Sequence, residues 1–295
     1  SAASDVYKRQ IPHPLFERLI VDDAMNKESN EWKPERYHEY GYFPGCVDFM
    51  DVEVKFTHLN KGDADHASIA AASIKLLNYA DIDPLVLDMN VFKCSGHDQL
   101  WQGNLEVYDA LKEHNMRRLK ESGIKILTCS CAECYRTFAV DYDLPNTLGI
   151  KVEHITQTLQ GRGLKFKAPE NVTVSYHDPC RLGRMMGEYE APRDLIQLVD
   201  GATMVELENN KERALCCGVS SMMYCNDATK AVRRKRLDQG TDAGIDIMLG
   251  GCPKCYMHMQ CMLNEERMNP EEGHHHDYEM MDLMQFLVAC LEDGK

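Results

Sequence analysis

No apolar run in the chain approaches the roughly 20 residues that a membrane-spanning helix needs. Positive charge is also short: 33 Lys and Arg stand against 47 Asp and Glu, a formal net charge of −14 that argues against nucleic acid as a partner. The opening residues carry no signal-peptide pattern, so the expected location is cytoplasmic, peripheral to a membrane complex at most. No G-x-G-x-x-G, P-loop or H-E-x-x-H run occurs, which leaves nothing to support a nucleotide cofactor or a metalloprotease. Tryptophan is scarce at two residues, but cysteine is not: there are 13. In a reducing compartment that number points to metal or redox chemistry rather than disulfides.

The 295 residues, 44% hydrophobic and 27% charged, read as a globular chain of two domains. The first ten residues, SAASDVYKRQ, have neither helical nor strand period and look like translated sequencing-adapter sequence, so they enter no fold argument. On that reading the natural chain begins further upstream, with room there for a ferredoxin-like domain.

The cysteines repeat in order. YFPGC (42–46) is followed by KCSGH (93–97) and CAECY (131–135); HDPC (177–180) is followed by CCG (216–218) and CPKCY (252–256). Intervals repeat too: 35 residues separate Cys180 from Cys216, 34 separate Cys217 from Cys252, and 35 separate Ser95 from Cys131. Chance would have to reproduce order and spacing together. Before each CxxC stands a helical pattern and a short apolar strand, NLEVYDALKEHNMRRLKESG then IKILT, and KAVRRKRLDQGTDAG then IDIML, with Gly123 and Gly244 placed as helix C-caps. VTVSY (172–176) reads as a strand and ASIAAASIKLLNYA (67–80) as a helix, and each copy closes on an amphipathic run, VEHITQTL and MMDLMQFL. Alternating strands and helices predict an α/β fold with a mostly parallel sheet in each half. The expected layout is an N-terminal extension (1–39), a first domain (40–160), a linker (161–171) and a second domain (172–295).

The doublet decides the chemistry. Adjacent cysteines have Cα atoms about 3.8 Å apart, whereas ordinary disulfides want roughly 4.4–6.8 Å, so Cys216 and Cys217 are poorly placed to bridge each other. Cys180, Cys216, Cys217, Cys252 and Cys255 make five thiols where zinc wants four, so structural zinc accounts for each CxxC but leaves the doublet without a task. The count favours iron and sulfide, and the fifth thiol implies a spare ligand or a cluster that is not an ordinary cubane. Gly218 lets the backbone approach such a cluster closely. The first copy, with Ser95 in place of a second cysteine, keeps four: Cys46, Cys94, Cys131 and Cys134.

FPGC, HDPCRLGR, ALCCG and CPKCY, present at these intervals over residues 40–290, resemble the cysteine-rich CCG domains of heterodisulfide reductase catalytic subunits and of glycolate and lactate oxidase iron–sulfur subunits. The resemblance implies two tandem, pseudo-symmetric α/β domains, each holding a [4Fe-4S] cluster, with the intact CCG motif holding an unusual noncubane one. By that resemblance the metal ligands are Cys46, Cys94, Cys131 and Cys134 in the first domain and Cys180, Cys216, Cys217, Cys252 and Cys255 in the second. Gly218 stands against the cofactor, and Cys216 and Cys217 carry the catalysis. Two functions follow. One is reduction of a thiol disulfide with electrons from a partner subunit bearing flavin, haem or further iron–sulfur centres. The other is pure electron transfer for a glycolate- or lactate-type dehydrogenase, which Ser95 favours by making the first site a relay.

The remaining residues carry plainer expectations. KAVRRKR (230–236) reads as a solvated helical face, and HHH (274–276) as a solvated acidic turn. Cys129, Cys225, Cys261 and Cys290 read as ordinary core or surface thiols, and the methionines of 222–224 and 256–262 as packing around the site. His177, three residues before Cys180, is placed to hydrogen-bond cluster sulfur.

Overall fold

The structure, a computed structural model, describes residues 32–47, 66–88, 91–218, 226–272 and 275–291. Cys225, Met222, Met223, His274 and the first 31 residues lie outside them.

Short β-branched and apolar runs form two four-stranded sheets, parallel throughout. The first has β1 (Tyr40–Phe43), β2 (Leu85–Val86), β3 (Ile126–Cys129) and β4 (Lys151–His154) in the order β2-β1-β3-β4. The second has β5 (Phe166–His177), β6 (Val199–Met204), β7 (Ile247–Gly250) and β8 (Glu279–Asp282) in the order β6-β5-β7-β8. The order is the same twice, so the repeat seen in the cysteines is a repeat of topology. Parallel neighbours need crossovers, and helices supply them. They are α1 (Ala67–Tyr79), α2 (His97–Gln102) and α3 (Leu105–Ser122) in the first half, and α7 (Glu190–Gln197) and α8 (Asp227–Asp242) in the second. α4 (Ala132–Arg136) and α5 (Leu144–Thr147) connect β3 to β4, α6 (Ile155–Leu159) leads from β4 to the second sheet, α9 (Pro253–Met268) connects β7 to β8, and α10 (Leu283–Ala289) follows β8.

Gly123 closes α3 in the left-handed region, φ 69°, as expected of a C-cap, and Gly244, φ 63°, lies one residue past the cap of α8. The stretch expected to be a linker is partly strand. β5 starts at Phe166, because Phe166 and Ala168 point inward in alternation and Phe166 and Lys167 pair with Val199 and Asp200 of β6 before the register shifts and resumes at Val172.

The halves share one core layer. Leu76 and Leu77 of α1 are fully buried with Leu283, Phe286 and Leu287 of α10, and Gln285 Nε2 donates to Ser68 Oγ at 2.6 Å across the same contact. Burying each such side chain contributes about 1.5–3 kcal/mol. A second apolar cluster surrounds the cysteines, and Met259 and Met262 belong to it, as packing residues should.

HHH departs from expectation. His276 is buried, with Nδ1 2.6 Å from Glu266 Oε2 and Nε2 3.1 Å from Asp238 Oδ1, while His275 stays exposed. Two carboxylates make burying the ring worthwhile, which the acidic turn alone does not reveal.

The closing runs of the two copies are each a strand and a capped helix. His154 caps α6 and Asp282 caps α10, each with a capping box. Asp282 is fully buried with Oδ2 unpartnered among the described residues, and burial pushes its carboxyl up to about 7, opposed by the hydrogen bond it accepts from the Met284 N–H. The folded value lies above the unfolded one, so stability falls as pH rises between the two and the whole cost is present above about 7. Asp282→Asn keeps a good cap without the charge. It should therefore raise stability at pH 8.5 by on the order of 3 kcal/mol and less at pH 5.5, as read by thermal midpoints across that range.

Candidate functional site

Each cysteine follows the C-terminal end of a central strand or sits in the loop facing it, where parallel sheets place their ligands. Cys46 follows β1, Cys131 and Cys134 follow β3, Cys180 follows β5, and Cys252 and Cys255 follow β7. In both sets the CxxC pair is buried while Cys46 and Cys180, and Cys94 and Cys216, are half-buried. Cys217 is buried, as is its counterpart Ser95.

The local geometry matches. Gly96 N–H donates to Cys94 Sγ at 3.4 Å and Gly218 N–H to Cys216 Sγ at 3.4 Å. Both glycines are left-handed, φ 79° and 81°, and a Cβ at Gly218 would come within 2.7 Å of the Thr229 carbonyl oxygen. Glycine is required there on both counts. Ser95 Oγ lies 3.5 Å from Cys134 Sγ, and Cys217 Sγ lies 3.1 Å from Cys255 Sγ. Serine thus takes the place of the doublet's second thiol beside the last cysteine of the CxxC.

Crowding divides the thiols into strong and weak acids. Hydrogen bonds from Cys216 and Cys255, with one from His177, hold Cys217 well below the ordinary thiol range. Cys252 is held at about 6 by hydrogen bonds from Cys131 and Cys255. Cys255 is raised by Cys217 and Cys252, and Cys216 by Cys217 and by burial. A thiolate is the form that ligates metal. The Cys131–Cys252 contact also joins the two sets directly, one CxxC against the other. Cys129, which ends β3, is fully buried and raised by burial, the condition of an inert core thiol. Burial likewise raises Cys290 to about 11.

A cavity of about 290 Å³ opens on Cys180, Cys216, Cys217, Cys252 and Cys255, walled by Trp101, Glu133, Pro179, Arg181 and Lys254. The sequence reading did not anticipate that wall. Lys254 Nζ donates to Asp98 Oδ1 and Oδ2 at 2.7 and 2.8 Å and pairs with Glu133 Oε2 at 2.7 Å. Lys254 and Glu133 are the matched middle residues of CPKC and CAEC, and their opposite charges at equivalent positions were a usable signal. His97, Asp98 and Glu133 come close enough to hold a metal ion, but Lys254 already supplies their cation. Burial, then Lys254 and Arg181, push His97 down to about 2. Arg181 packs over the Trp101 ring at 4.1 Å and donates Nε to His97 Nε2 at 3.4 Å.

His177, Cys217 and Cys255 converge within 4.8 Å, as expected of a histidine beside the thiols. Behind them the basic run departs from expectation. Arg233 and Arg236 are fully buried rather than solvated, and Arg233 Nε and Nη1, Arg236 Nη2 and His258 Nε2 find no hydrogen-bond partner among the described residues. Two matched thiol sets, the second with Cys217 and Cys252 acidified and with buried guanidiniums behind it that meet no carboxylate among the described residues, suit an anionic, thiolate-bound group.

Two parallel-sheet halves that each turn a cysteine set toward the other define a tandem cysteine-rich α/β protein. The chain belongs to the CCG cysteine-rich domain family, which matches residues 40–139 and 174–260. It is 32% identical over 255 residues to a subunit of the dihydromethanophenazine:CoB–CoM heterodisulfide reductase of Methanosarcina barkeri, covering 82% of this chain and 62% of that protein. Identity is 26% over 258 residues to a subunit of the fumarate reductase (CoM/CoB) of Methanothermobacter marburgensis, covering 86% and 46%. It is 26% over 252 residues to the EtfAB:quinone oxidoreductase of Syntrophomonas wolfei, covering 80% and 33%. The chain spans less than two thirds of the length of each. Among the described residues, no helix is long and apolar enough to cross a membrane.

Proposed function

We propose that the chain is an iron–sulfur oxidoreductase subunit that reduces a small-molecule disulfide at its second thiol set. The observation that carries this reading is that five thiols, one more than an ordinary cubane takes, line a single cavity of about 290 Å³. The reaction takes one disulfide, two electrons and two protons to two thiols, and a partner subunit bearing flavin, haem or ferredoxin-type centres delivers the electrons. Cys180, Cys216, Cys217, Cys252 and Cys255 would hold a noncubane [4Fe-4S] cluster. Cys46, Cys94, Cys131 and Cys134 would hold the other, cubane or noncubane. When bound, such clusters supply one-electron steps to a reaction that needs two.

The chain's own side chains do the rest. Trp101 walls the cavity, Arg181 brings a cation to its rim while Glu133 and Asp98 take up the charge of Lys254, and the low-lying Cys217 and Cys252 thiols are ready as ligands. The CoM and CoB in the names of two relatives support small thiols as the substrate class. A second reading, an electron-transfer subunit of a glycolate- or lactate-type dehydrogenase, draws on Ser95 and on the quinone-linked relative.

Purified without oxygen, the protein should contain about eight irons with matching acid-labile sulfide. Two zincs and no sulfide would end the reading. The oxidised protein should then develop a new paramagnetic signal when a thiol such as coenzyme M or coenzyme B is added. Silence across a panel of thiols would leave the relay reading in its place.

A further inference from the structure

Arg233 and Arg236 are among the largest fully buried side chains, and neither has a carboxylate within ion-pairing distance among the described residues. The carboxylates acting on Arg236 from further off, Asp178 and Glu206, are themselves bridged by Arg193 at 2.7–2.9 Å. A guanidinium stays charged, and burying a charge without a counter-charge is costly. An anion must sit nearby.

The hydrogen bonds say where. Arg236 Nε donates to His177 Nδ1 at 3.0 Å, and Arg233 Nη2 meets His258 Nδ1 at 3.0 Å. Arginine only donates, so each imidazole accepts at Nδ1 and keeps its proton on Nε2. For His177 that leaves Nε2–H as the donor toward Cys217. Arg233 also packs directly on Gly218, its Cβ 3.3 Å from where a glycine Cβ would stand. Both cations therefore reach the doublet through one histidine or one glycine. The first half lacks them. Leu111 of α3 meets Gly96 where Arg233 of α8 meets Gly218, and three residues on His114, buried, meets the Val91 carbonyl.

We propose that Arg236, acting through His177, and Arg233, packed against Gly218, are buried counter-charges that hold the cluster of the second thiol set at a higher reduction potential than its thiolates alone would set. A cation behind the thiols stabilises the added electron, and a donated hydrogen bond to sulfur acts in the same direction. The proposal rests on the reading that the second set holds an iron–sulfur cluster, and not on disulfide reduction.

The test is a redox titration of the whole, iron-loaded protein followed by paramagnetic resonance, with no thiol or disulfide present. Arg236→Gln should shift the one-electron equilibrium of the second-set signal at least tenfold toward the oxidised form, a fall of about 59 mV, with the first-set signal unmoved. Arg236→Lys, which keeps the charge, should shift it less than half as far. Unchanged potential in Arg236→Gln at full iron content overturns the proposal. Should that variant lose iron, Arg233→Gln carries the same expectation; loss of iron in both would also overturn it, since five thiols remain to hold the cluster. A wild-type protein without iron and acid-labile sulfide would instead remove the underlying reading.

Discussion

Cys217→Ser is expected to keep nearly all of its iron and to lose the thiol response and the disulfide reduction proposed for the second set. The variant leaves Cys180, Cys216, Cys252 and Cys255, four thiols, which suffice for an ordinary cubane. It reproduces at the second site what Ser95 already provides at the first, where the hydroxyl stands 3.5 Å from Cys134 Sγ. Cys217 is held well below the ordinary thiol range by Cys216, Cys255 and His177, and it faces the cavity, so its removal strips the site of a ready ligand. Gly218 is untouched and the backbone should not move. Iron by colorimetric assay, thiol-induced paramagnetism and anaerobic turnover are the three readouts. Retained thiol response and turnover would reduce Cys217 to a tolerated core thiol. Ser95→Cys runs the comparison in reverse, with a second thiol-responsive signal as the expected gain. Cys180→Ser should be worse than either for iron content, because Cys180 alone follows β5 and has no neighbour to replace it.

Much of this arrangement was legible in the chain because the repeat carried it. Order and spacing of the cysteines paired Cys46 with Cys180 and CAEC with CPKC, and strand order β2-β1-β3-β4 recurs as β6-β5-β7-β8. Periodicity located α3 and α8, and the glycines located their ends. What stayed hidden depends on contacts between elements distant in sequence. A run such as KAVRRKR on a helix is ordinarily solvated, and only the packing of α8 behind His177 makes Arg233 and Arg236 interior. His276 is the same case, its burial made by Glu266 and Asp238 on other elements. Phe166 and Ala168 joined β5 because β6 was there to pair with. The cavity wall drew Trp101 and Glu133 from the first half against thiols of the second, which no local pattern announces.

Lys254→Met should be the most destabilising exchange near the site that leaves every thiol in place. Lys254 is 5% exposed and lies on the first turn of α9, between Cys252 and Cys255. It binds both carboxylate oxygens of Asp98 and one of Glu133, and these acids belong to α2 and α4 of the other half. Removing it leaves Glu133, whose carboxyl burial already raises and Lys254 holds down, without its cation. Breaking a buried pair from one side costs about 3–5 kcal/mol, because the abandoned charge keeps its desolvation penalty. For a chain of this size that corresponds to a fall of roughly 10 °C in thermal midpoint at fixed scan rate. Asp98, whose side chain is 37% exposed, can return to water; Glu133, at 14%, cannot. The loss should therefore depend on Glu133. In Lys254→Met with Glu133→Leu most of the midpoint should return, while Lys254→Met with Asp98→Asn should gain little. Because Cys131 and Cys252 meet just beneath this bridge, loosening it should also slow electron exchange between the two thiol sets, visible as a first-set signal that reoxidises more slowly when disulfide is added. Equal midpoints for the single variant and the wild type would show that the three-way bridge holds nothing together and that the other contacts between the halves, α1 on α10 and His154 on the Gly251 carbonyl among them, suffice.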